Sequence, residues 1–83
     1  MKKEIYTKQE LVDKAAETCK AIIRSKVADK GYISAEEYCS VALRQINSLW
    51  FLDIINHDEW TNLRGVMNAY WNEQNELGAK MDL

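Results

Sequence analysis

The sequence contains no proline, three glycines and two cysteines in 83 residues. With so little turn chemistry, a sandwich or barrel of many short strands is excluded. Long hydrophobic runs are missing too. The longest covers residues 49–52 and is broken by Asp53 before Ile54 and Ile55, far short of the roughly 20 apolar residues of a membrane-spanning helix. The opening Met-Lys-Lys-Glu-Ile-Tyr-Thr-Lys leads into no apolar stretch of secretory length, so a signal peptide is not expected and a cytoplasmic location is. Cys19 and Cys39 match no metal or redox spacing, and the expected state is two small buried hydrophobes in a reducing compartment.

The chain has neither a large charge of one sign nor a recognisable catalytic motif. Net charge is −2 and the sequence pI about 5.3, which speaks against a phosphate-binding surface. No GxSxG, Walker loop or GxGxxG is present. His57 is the only histidine. It has no second ligand at helical spacing, so neither a metal nor a cofactor is expected. A cysteine–histidine pair would need an accessible thiol, and both cysteines fall on apolar stripes. An enzyme is therefore not expected.

What is present is a single globular composition, 47% apolar and 29% charged, which is too apolar for a disordered chain. One short pattern occurs three times. It reads Tyr6-Thr7-Lys8-Gln9-Glu10-Leu11, Ile33-Ser34-Ala35-Glu36-Glu37-Tyr38 and Ile55-Asn56-His57-Asp58-Glu59-Trp60. Each places a cap residue three before a Glu, inside an apolar pair. That is the grammar of a capping box with a hydrophobic staple, and it predicts three helix starts. Beyond the caps the segments align poorly, so shared capping is read and not a solenoid.

The predicted helices cover about 7–29, 35–53 and 57–77, within one domain spanning 1–83 with short frayed termini. Gly31 and Gly78 are expected just past the first and third helix ends. In the first helix Leu11, Val12, Ala15, Ala16, Cys19, Ile22, Ile23 and Val27 form a stripe about 160° wide. In the second, Tyr38, Cys39, Val41, Ala42, Leu43, Ile46, Leu49, Trp50 and Leu52 span about 200°. An arc that wide suits a central helix touched from both sides. In the third, Trp60, Leu63, Val66, Met67, Tyr70, Trp71 and Leu77 form the stripe. Gly65 inside it costs about 1 kcal/mol relative to alanine, so a close approach or a bend is expected there. Short connections favour antiparallel neighbours. The expected fold is all-α, an up-down-up three-helix bundle that self-associates through its central or third helix, as a homodimer.

Charge is distributed unevenly. Residues 1–30 carry eight Lys/Arg and five Asp/Glu, whereas residues 31–83 carry three and eight. This favours packing of the first helix against the others. The function expected is a non-enzymatic protein–protein interaction module, a small adaptor or inhibitor of the kind phages and plasmids direct against host proteins. Its candidate contact residues are Phe51, which falls outside the second helix's apolar arc, and Arg64, Asn68, Trp71 and Asn75 on the third helix. Aromatic residues and arginine dominate interface energetics, and asparagine is a poor helix former that needs another reason to be there. The alternatives are a nucleic-acid-associated regulator using Lys20 and Arg24, or an acidic mimic of nucleic acid using Glu36, Glu37, Asp58 and Glu59. Direct nucleic-acid contact is less expected than contact with another protein or with a second copy.

Overall fold

The capping chemistry sets most of the element boundaries in the computed structural model, which describes residues 5–81. Helix α1 runs Lys8–Lys30 behind a complete capping box. The Thr7 hydroxyl accepts from the Glu10 N–H at 3.1 Å, and the Glu10 carboxylate accepts from the Thr7 N–H at 2.9 Å. Gly31 ends the helix in the left-handed region, φ 85°, with its N–H on the Val27 carbonyl at 2.8 Å, a conformation that costs glycine no Cβ clash. The same box opens the last helix. Asn56 Oδ1 accepts from the Glu59 N–H at 2.8 Å, and Glu59 Oε1 accepts from the Asn56 N–H at 2.9 Å.

The middle of the chain departs from one continuous helix. It consists of a short α2, Ala35–Glu37, a π-helical turn, Tyr38–Ala42, and α3, Arg44–Phe51. Only half of the expected capping box forms at its start. The Ser34 hydroxyl accepts from the Glu37 N–H at 3.2 Å, but the Glu37 carboxylate turns to Lys26 at 3.2 Å and Lys30 at 3.9 Å. The π turn adds a residue to one turn and shifts the register of everything after it. Tyr38, Ala42, Leu43, Ile46 and Leu49 are buried, while Cys39, Val41, Trp50 and Leu52 are exposed. The expected 200° arc is therefore narrower than the sequence suggests, and Cys39 is not the buried thiol it was expected to be. Asp53, with φ 61°, reverses the chain after α3; aspartate is among the few residues with a side chain that tolerate this region.

The final helix, α4, spans His57–Met81 and does not stop at Leu77. Gly78 lies inside it and is buried. A Cβ there would sit 2.1 Å from the Gly31 carbonyl oxygen and 2.8 Å from Val27 Cγ1. The glycine is used for close approach to the end of α1, not for a cap. Gly65 has no atom within 4 Å of where a Cβ would stand, so no close approach explains it. Of the expected frayed termini, residues 78–81 instead continue α4, and residues 1–4, 82 and 83 lie outside the described range.

All described elements are helical. Helices α1, α3 and α4 each pack on the other two. On α1 the buried residues are Ala15, Cys19, Ile23 and Val27, one every fourth position. They meet Ile33, Tyr38, Ala42, Leu43, Ile46, Leu49, Ile55 and Met67 in one core. On α4, Val66 and Leu77 of the expected stripe are exposed. The charge asymmetry is spent across the helices. Lys8 holds Glu59 at 2.7 Å, and Lys26 and Lys30 hold Glu37, so in every one of these pairs the cation belongs to α1. No described helix is long and apolar enough to cross a membrane.

Candidate functional site

Three of the five residues singled out from sequence serve the chain's own interior. Asn75 on α4 reaches the connection after α1, where its Oδ1 accepts from the Ile33 N–H at 2.8 Å and its Nδ2 donates to the Ile33 carbonyl at 3.1 Å. The Trp71 indole N–H donates to the same carbonyl at 2.7 Å. Its ring stacks on Tyr38, with centroids 4.4 Å apart and an interplanar angle of 11°. The Tyr38 hydroxyl donates to Asn68 Oδ1. These side chains tie the α1–α2 connection and the π turn onto α4. The asparagines occupy poor helix positions because each satisfies a polar group that burial would leave unpaired. Burial pushes the Tyr38 hydroxyl pKa well above its ordinary value, with the Cys19 thiol adding to the shift. It also pushes the Cys19 thiol up to about 11.

The other two residues, Phe51 and Arg64, lie at a groove between the end of α3 and the start of α4. Phe51 is 83% exposed. The groove, about 360 Å³, is lined by Cys39, Leu43, Asn47, Trp50, Phe51, Trp60 and Arg64. Trp50 and Trp60 stack at 4.1 Å with an interplanar angle of 15°. The Trp60 indole N–H donates to Asn47 Oδ1 at 2.9 Å, and the Arg64 guanidinium lies 4.8 Å from the Trp60 ring centre. His57 meets Trp50 edge-on at 6.2 Å and is tilted to Trp60 at 5.6 Å.

Phe51 also borders a second depression with Cys39, Ser40, Arg44, Asn47 and Ser48. It therefore stands as a ridge between two hollows. Arg44, Asn47, Ser48 and Phe51 follow helical spacing along one face of α3. Reading the sequence pointed to Phe51 and Arg64 but missed Trp50, Trp60, Asn47 and Arg44. Both tryptophans sat inside predicted core stripes. Trp50 stands on the last turn of α3 and is 40% exposed.

Chemically the groove offers apolar area, one amide, one thiol and a stacked cation. No group of three or more His, Cys, Asp and Glu side chains suited to a metal occurs among the described residues. Of the cations named for nucleic-acid contact, Arg24 Nη1 donates to the Tyr70 hydroxyl at 3.0 Å, and Lys20 lies 5.7 Å from that ring's centre. Of the acids named for mimicry, Glu37 and Glu59 are in ion pairs. No family model, curated protein or solved structure matches this chain.

Proposed function

We propose that the protein is a non-enzymatic protein–protein interaction module, an adaptor or inhibitor acting in the cytoplasm, built on an up-down-up arrangement of α1, the second helical region and α4. The observation that carries this reading is Phe51. It is the most exposed aromatic side chain among the described residues, while the aromatics around it are stacked and hydrogen-bonded into a fixed floor. A rigid floor beside an uncovered ring gives a partner apolar area with little ordering cost. Covering a phenylalanine side chain is worth about 1.5–3 kcal/mol.

The direct test is a photo-crosslinking amino acid at position 51, with position 72 on exposed α4 surface as control. A protein adduct from position 51 and none from position 72 is expected. Its partner, once purified, should lose affinity about tenfold or more for Phe51→Asp. Equal labelling from both positions would remove the reading.

Self-association through the second helical region belongs to the same proposal and is favoured by a separate observation. Val41 is 40% exposed and shares a shallow hollow with Thr18, Ala21, Ile22, Ser25 and Lys26 of α1. A homodimer over this hollow would leave the Phe51 ridge free. Light scattering across a dilution series should show a dimer that Val41→Asp dissociates. A monomer at every concentration would discard the dimer and leave the Phe51 reading intact.

A further inference from the structure

The charge around the Phe51 ridge is opposite to that of the segment it belongs to. Residues 31–83 carry three basic and eight acidic residues, yet two of the three, Arg44 and Arg64, line the two hollows beside Phe51, and no carboxylate does. Neither guanidinium has a carboxylate partner among the described residues. The Arg64 guanidinium lies over the Trp60 ring, 4.8 Å from its centre. A planar, weakly hydrated cation held on an aromatic face is preset to receive a carboxylate.

From this, and resting on the reading of the ridge as a contact surface, we infer that its occupant is an acidic segment of another protein, with an apolar side chain against Phe51 and carboxylates at Arg44 and Arg64. A polyanion with a phosphate at every unit suits the site less well. Asp53 follows Phe51 by two residues, and Asp58 stands in the first turn of the helix that forms the groove's wall. A continuous phosphate chain meets these acids, whereas a protein segment can place single carboxylates between them. A second copy docked symmetrically over Phe51 would bring arginines of both chains together, a like-charge contact.

The test is a display library of random 16-residue peptides selected on the full-length protein, run in parallel on Phe51→Asp and on the double variant Arg44→Gln, Arg64→Gln. Circular dichroism verifies that each variant is folded. Expected is enrichment of peptides combining Asp or Glu with an aromatic or aliphatic residue, absent on Phe51→Asp. Their affinity should fall on the order of tenfold on the double variant and weaken as salt is raised. Enrichment of neutral or basic peptides that still require Phe51 would overturn the acidic-segment inference and leave the interaction surface standing. Selection that ignores Phe51 would remove the surface reading as well. Binding of a 20-nucleotide single strand that is tighter than that of any selected peptide and is lost on Phe51→Asp would assign the ridge to nucleic acid, and dimerisation abolished by Phe51→Asp would assign it to a second copy.

Discussion

Two glycines on α4 should respond to alanine with opposite signs. At Gly78 the added Cβ would fall 2.1 Å from the Gly31 carbonyl oxygen, a backbone atom that cannot swing aside. Gly78→Ala must push the end of α1 away from α4, and overpacking of this kind costs about 1–3 kcal/mol or more. At Gly65 nothing stands within 4 Å, so alanine there removes only chain entropy from the unfolded state and should stabilise by about 0.5–1 kcal/mol. Urea denaturation of both variants measures the pair. The clamp on Ile33 belongs to the same scale. Asn75→Ala removes the acceptor of the buried Ile33 N–H, and an unsatisfied buried donor costs about 1–3 kcal/mol. Asn75→Asp keeps an acceptor but loses the Nδ2 donor to the Ile33 carbonyl, so it should be destabilising too. This clamp accounts for the asparagines that, with Trp71, mark one face of α4 in the sequence at Asn68 and Asn75. Poor helix formers on one side of a helix signal a polar partner, and the spacing cannot say whether that partner is another molecule or the chain's own preceding loop.

At the scale of elements, helix termini were the most legible feature because capping is local chemistry. Thr7–Glu10 and Asn56–Glu59 form both bonds of the box as the residue types and spacing require. Their carboxylates should control the acid limb of stability. Glu59 is held below its ordinary value of 4.5, first by Lys8 and then by the Asn56 N–H. Glu10 is held below it by Thr7's N–H and hydroxyl. A depressed carboxylate pKa stabilises the fold at pH values above the unfolded-state value, and that contribution is lost as pH falls through the folded-state value. Glu59→Gln should therefore melt below the parent at pH 7, and the difference should shrink as pH falls below the ordinary glutamate value of about 4.5. Glu10→Gln should behave alike. Thermal melts across that range measure both; a gap independent of pH would mean the carboxylate's charge contributes nothing. The π turn marks where reading by local chemistry stops. Apolar residues at nearly every position from Tyr38 to Leu43 fit more than one register, and the choice is made by packing. Tyr38 stacks on Trp71 and Ile46 is fully buried in the core, and one extra residue between them is what lets both be met.

The whole molecule is long and thin, 50 × 32 × 17 Å with a radius of gyration of 14.2 Å, against about 12 Å for a compact chain of this length. The two long helices, about 35 and 38 Å from end to end, supply most of the first dimension. The last leaves room for a single layer of core, and Cys19 lies in it with no exposure. Because α1 packs against α3, the π turn and α4 alike, no helix can leave without uncovering that layer, so the molecule should open as one unit. The two thiols report on this directly. Cys39 is exposed and should react with an aromatic disulfide reagent within the mixing time of a pH 8 experiment. Cys19 is shielded, and burial holds its pKa up to about 11, so the native thiol is both inaccessible and almost wholly protonated. Its labelling must pass through opening. With an unfolding free energy of about 5 kcal/mol, it should lag Cys39 by between three and four powers of ten. The opening free energy obtained from that lag should equal the value from denaturant unfolding of the same protein. A markedly smaller value would mean that α1 detaches while α3 and α4 stay together, and the single-layer core would then be two cooperative units.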